Sequence, residues 1–141
     1  MAGRRMGGKA VNNSSTDGFP LRYITFEELD ELNTLVLGLS DTQDGSGNIL
    51  ILERGLSFDE QDVALGQDTY SISTASGATV YGGIMRSVLD ERLLTIELTA
   101  EAAGALGTTQ TCQFLLELDS GSVGRLREGL RRVLEGDSSR L

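Results

Sequence analysis

The sequence predicts an α+β fold, a mostly antiparallel β-sheet of about six or seven strands with a C-terminal amphipathic helix packed on one face. Three observations carry this. Short β-rich runs recur along the chain, clusters of turn formers separate them, and residues 122–135 place Val123, Leu126, Leu130, Val133 and Leu134 at three- and four-residue spacing. The 141 residues suit one hydrophobic core, with no internal repeat that would suggest an array. Only 5% of residues are aromatic and Trp is absent, so the core must be built from Leu, Ile, Val and Ala.

Taken in order, residues 1–20 are rich in Gly, Asn and Ser with basic Arg4, Arg5 and Lys9, and read as a flexible basic arm ahead of a single domain over 21–141. They hold no apolar stretch, so they are not a secretory signal. Tyr23 and Thr25 begin a strand, the acidic residues 27–31 suggest a turn, and residues 35–39 suggest a second strand. Residues 40–48, SDTQDGSGN, then turn the chain into NILILER, a largely buried strand, which makes a hairpin.

Residues 57–66, SFDEQDVALG, interrupt the strands with four polar residues and end on Gly66, which reads as a short helix or turn. Residues 68–73, 78–88 and 92–99 follow as a three-stranded meander, with turns at Ser76-Gly77 and Asp90-Glu91. Thr99 is a candidate N-cap for AEAAGALG, which Gly107 closes, and residues 110–118 supply another strand.

Composition removes whole classes of chemistry. There is no histidine, so the commonest general base, the commonest metal ligand and every Ser-His or Cys-His pair are absent. One cysteine, Cys112, allows no internal disulfide and no thiolate zinc site; it reads as a buried small residue in a reducing cytoplasm. Residues 40–51 fail the calcium-loop pattern, with Ile51 where a bidentate Glu belongs. Tyr81-Gly82-Gly83 lacks the lysine and spacing of a phosphate loop. No cofactor and no metal are expected, and the chain reads as a non-enzyme.

The net charge of −9 is uneven: twenty of the twenty-one acidic residues lie after the arm, at or beyond Glu27, against eight of the twelve basic ones beyond Arg22. Such a field repels nucleic acid and anionic lipid and favours a basic protein partner, or simply keeps the chain soluble. No apolar run approaches the ~18 residues that a membrane span needs.

The most informative stretch joins Leu52-Glu53-Arg54, Asp59-Glu60-Gln61-Asp62, Leu65-Gly66-Gln67-Asp68-Thr69-Tyr70 and Tyr81-Gly82-Gly83-Ile84. In that order these motifs resemble the family-ten immunity proteins of bacterial polymorphic toxin systems. LLTIEL, AEAAGALG and LREGLRRVL continue the likeness over residues 35–134, while Glu53 stands where the pattern leads one to expect Gln. The resemblance implies a mostly β protein that binds and neutralises a cognate toxin in the producing cell.

Candidate partner-binding residues are Asp59, Glu60, Asp62, Asp68 and Tyr81, as an acidic surface with an aromatic anchor for a basic toxin. The same acids could instead cap a helical turn and pair with Arg54 or Arg86. Arg54, Gly66, Tyr70, Gly82 and Gly83 read as structural, Tyr70 as half core and the two glycines as a bulge or a close backbone approach within a strand. Two other classes stay open: a module that self-associates, as a homodimer, through its glycine-rich strand, and a small carboxylate hydrolase whose activity Glu60→Gln would abolish.

Overall fold

The computed structural model describes residues 18–66, 68–90 and 92–138. The fold is α+β, and the described residues form eight strands in two antiparallel sheets. The larger sheet runs in sequence order through β1 (Tyr23–Leu29), β2 (Thr34–Ser40), β3 (Ile49–Gly55), β4 (Tyr70–Thr74) and β5 (Thr79–Tyr81). The smaller holds β6 (Ile84–Leu89), β7 (Leu93–Leu98) and β8 (Thr111–Leu115). Three helices, α1 (Glu60–Ala64), α2 (Ala100–Leu106) and α3 (Ser120–Ser138), complete it.

Strand alternation gives the large sheet two unlike faces. Pairing aligns Phe26, Leu37, Leu52, Ile72 and Val80 in one row across all five strands. Leu37, Leu52 and Ile72 in this row are almost fully buried. Each side chain of that kind contributes roughly 1.5–3 kcal/mol relative to exposure. The register is therefore pinned, because a slip of one residue would carry the whole row to the other face.

Helix α3 lies on this inner face through Leu126, Leu130 and Val133. Gly129 lets it come close: a Cβ there would sit 2.9 Å from Leu37 Cδ1 and 3.3 Å from the Phe26 ring. The helix starts earlier than the apolar spacing suggests, because the Asp119 carboxylate accepts from the Ser122 backbone N–H at 2.7 Å. That bond holds the Asp119 carboxyl below its ordinary pKa. Two further contacts tie helix to sheet: Arg132 reaches Glu28 at 2.9 Å, and the buried Arg54 donates from Nη1 to the Val133 carbonyl at 3.2 Å.

The small sheet completes the same core with Leu94, Ile96, Leu98, Cys112 and Phe114. Leu21 splices the two sheets. It donates to the Leu115 carbonyl and accepts from Glu117, while neighbouring Arg22 donates to the Ser40 carbonyl of β2. Phe19 packs edge-on against Phe114 with ring centroids 5.1 Å apart. Residues 1–17 of the expected arm lie outside the described residues, as do Gln67 and Glu91.

Several expectations are revised. The acidic stretch 27–31 is not all turn: β1 runs through Glu27 and Glu28 to Leu29, and the turn is a single 3-10 turn over Asp30–Leu32. The run 78–88 is two strands in different sheets, so the expected meander is divided. Gly82 and Gly83 form the corner between them, with φ of 70° and 99° that L-residues rarely adopt. The expected close approach is present there, since a Cβ on Gly83 would lie 2.7 Å from that of Ala102 in α2. The irregularity in pairing falls just beyond it, between Ile84 and Arg86.

Tyr70 is fully core rather than half core, at 5% exposure. Its phenol oxygen accepts from the Ile84 N–H at 3.0 Å and its carbonyl accepts from the Gly82 N–H at 2.9 Å. The Leu-Gly-x-Asp-x-Tyr and Tyr-Gly-Gly-Ile motifs are thus one device for turning the chain from sheet to sheet. α2 forms as its caps predict, with Thr99 accepting from the Ala102 N–H and Gly107 left-handed at φ 74°. Cys112 is buried.

Candidate partner interface

The outer face of the large sheet carries the opposite register row: Glu27, Val36, Glu53, Ser71 and Tyr81. α3 packs on the other face, and in this row Glu27, Glu53 and Tyr81 are exposed, whereas Val36 is half-buried and Ser71 is buried. Asn33 closes the β1–β2 turn in the left-handed region at φ 54°, which Asn tolerates better than most residues. Its carbonyl accepts from the Leu56 N–H at 2.9 Å, and its side-chain amide donates to the Ser57 carbonyl at 2.9 Å. The β1–β2 turn and the segment leading into α1 are therefore stapled side by side.

α1 is short and depends on its cap. Asp59 accepts from the Asp62 N–H at 2.8 Å, and the Asp62 carboxylate accepts from the Asp59 N–H at 3.0 Å, a reciprocal capping box. Two of the four acids singled out from sequence thus hold a helix, as the capping alternative anticipated. The Arg86 pairing does not form, because Arg86 lies in the small sheet and pairs with Glu97 at 2.8 Å. Glu60 stands exposed in the first turn of α1, and Asp68 lies half-buried just before β4.

Between the stapled loops and the sheet lies a cleft of about 230 Å³. Asp62 and Tyr81 both border it, so the structure brings these two predicted residues together; Asp59, Glu60 and Asp68 are outside its lining. Arg54 also borders it, with its guanidinium carbon 5.5 Å from the Phe58 ring centroid. Glu53 and Thr69 complete the polar wall. Among the described residues Glu53 makes no ion pair and the buried Thr69 Oγ1 has no hydrogen-bond partner.

Sequence reasoning did not select Glu53 or Thr69. Strand alternation could have found Glu53, since NILILER places it on the face opposite Leu52 and Arg54. Nor did it select the apolar residues exposed on these loops, Leu32 at 69%, Val63 at 56% and Leu65 at 59%. With Tyr81, itself half exposed, they put large apolar groups beside Asp30, Glu31, Glu53, Asp59, Glu60 and Asp62. Apolar anchors rimmed by charge of one sign are what a protein interface presents.

Chemically, this arrangement is suited to binding. Among the described residues no group of three or more acidic or cysteine side chains is placed to hold a metal ion, and no helix is long and apolar enough to cross a membrane. No curated protein and no solved structure matches the chain. Residues 21–124 match the family model described as Immunity protein 10, a span that contains both sheets, the corner motifs and every residue lining the cleft. The chain belongs to the Immunity protein 10 family.

Proposed function

We propose that this chain binds a cognate toxin in the cytoplasm of the producing cell and neutralises it by stoichiometric occlusion, without catalysis, using the outer face of the large sheet. The observation that carries this reading is the open row of Glu53 and Tyr81 beside the acidic loops, in a chain of the immunity family. A basic toxin surface would be steered to it electrostatically, and Tyr81, Val63 and Leu65 would supply apolar contact area. Thr69 Oγ1 gains a partner if the toxin offers a donor into the cleft.

Co-expression with the toxin encoded beside it tests the proposal. The wild-type chain is expected to restore growth and to co-purify with the toxin at one to one. Glu53→Lys with Tyr81→Ala should lose both while leaving the circular dichroism spectrum unchanged. Failure of the wild-type chain to rescue growth or to form a complex would sink the reading.

A second reading has one observation in its favour. β6 is a sheet edge on which Met85 is 63% and Val88 43% exposed, a surface where two copies of the chain could pair. Light scattering of the purified chain decides it: a stable dimer that Met85→Lys converts to monomer would support self-association.

A further inference from the structure

An apolar cavity of about 220 Å³ lies where the two sheets diverge. Leu50 and Ile72 of the large sheet face Ile96, Leu98 and Cys112 of the small one across it. Leu50 and Ile84 point into the core yet stay only partly buried, because they border this space. Exposed Asn48 and Ser76 mark its mouth.

Two properties of the lining define what fits. No lining residue carries a charge, so an ion entering would lose its hydration without gaining a partner. The walls are mostly hydrocarbon, with Thr74 and Thr108 among the few polar lining residues, and such a surface is wetted poorly because each buried water needs two to four polar partners. An empty space forfeits the dispersion contacts of a close-packed interior. An apolar cavity of about 150 Å³ accommodates benzene, and this one is larger.

We propose that the cavity between the sheets is a binding site for a small neutral molecule the size of a bicyclic aromatic, its apolar body among Ile72, Ile96 and Leu98 and its single polar group at the Ser76 mouth. The site is separate from the outer-face cleft and does not rest on the toxin reading. Occupancy stabilises the fold by linkage, since the ligand binds only where both sheets are assembled.

Indole, neutral and bicyclic with one N–H donor, is the probe. Titrated into the full-length chain, it is expected to give saturable shifts of the Ile72, Ile96 and Leu98 methyl resonances and a higher melting temperature. It should also slow alkylation of Cys112 by N-ethylmaleimide. Ile96→Phe fills the space and should weaken binding at least tenfold; if that variant does not fold, Ser76→Trp at the exposed mouth should do the same. The proposal is overturned by an absence of shifts up to the solubility limit of indole. Shifts spread over exposed Leu32 and Val63, or undiminished binding in the folded variant, would overturn it equally.

Discussion

The two faces of the large sheet are one residue apart in sequence and opposite in burial. Leu52 stands in a row of five apolar side chains on the core face, whereas its neighbour Glu53 stands in a row that includes Glu27, Ser71 and Tyr81. The inner row is held by burial and by the close approach of Gly129, so each member depends on its neighbours. The outer row keeps the carboxylates of Glu27 and Glu53 exposed, although Ser71 between Glu53 and Tyr81 is buried. Side chains of the exposed row can change without disturbing the buried one.

Substituting neighbours is the sharpest way to break this contrast. Leu52→Ala should destabilise the fold by about 2–5 kcal/mol, through lost transfer energy and the space left behind. Glu53→Ala should stay within about 0.5 kcal/mol of wild type. Urea denaturation followed by circular dichroism measures both, and equal losses would mean the outer row is structural after all.

The corner motif should behave as part of the inner face. Tyr70→Phe removes the acceptor for the Ile84 N–H and should cost about 1–3 kcal/mol in the same assay, since it leaves a part-buried donor unpaired. Asp59→Ala opens the capping box of α1 and should cost about 0.5–2 kcal/mol. If amide exchange shows that loss confined to residues 59–65, α1 is a local unit hung on the rim of the cleft; a loss spread through both sheets would join it to the core.

The smallest effect concerns pH. The hydrogen bond from Arg132, with the attraction of its charge, holds the Glu28 carboxyl below its ordinary pKa despite some desolvation. Because the folded value is the lower one, the charged form favours folding above the ordinary glutamate range. That contribution fades as pH falls through this range to the lowered value. Arg132→Leu should therefore lower stability slightly at neutral pH and leave the acid extreme nearly unchanged, so that the acid limb of the profile flattens, measured by thermal melts from acid to neutral pH. An unchanged acid limb would remove this pair from the account.

Local chemistry made much of the fold legible. The β3 strand, the capping of α2 by Thr99 and Gly107, and the apolar stripe of α3 each follow from patterns only a few residues long. The corner was harder, because a Tyr-Gly-Gly run within a β-rich stretch is compatible with a bulge. Only the distant partners Tyr70 and Ala102 decide that the chain changes sheets there. The candidate site was legible in part: Asp62 and Tyr81 meet at the cleft, but Asp59 is spent on a cap and Glu53 enters by register.

By itself the sequence determined the α+β class, the acidic charge, the absence of histidine chemistry and the ordered motifs of the family. These depend on residue type, on periodicity and on short spacing. Tertiary structure alone decided that the eight strands of the described residues divide between two sheets, which acids share a cleft with Tyr81, and that an apolar space remains between the layers. Those outcomes depend on pairings and close approaches between residues far apart in the chain, which hydrophobic burial drives but local pattern does not encode.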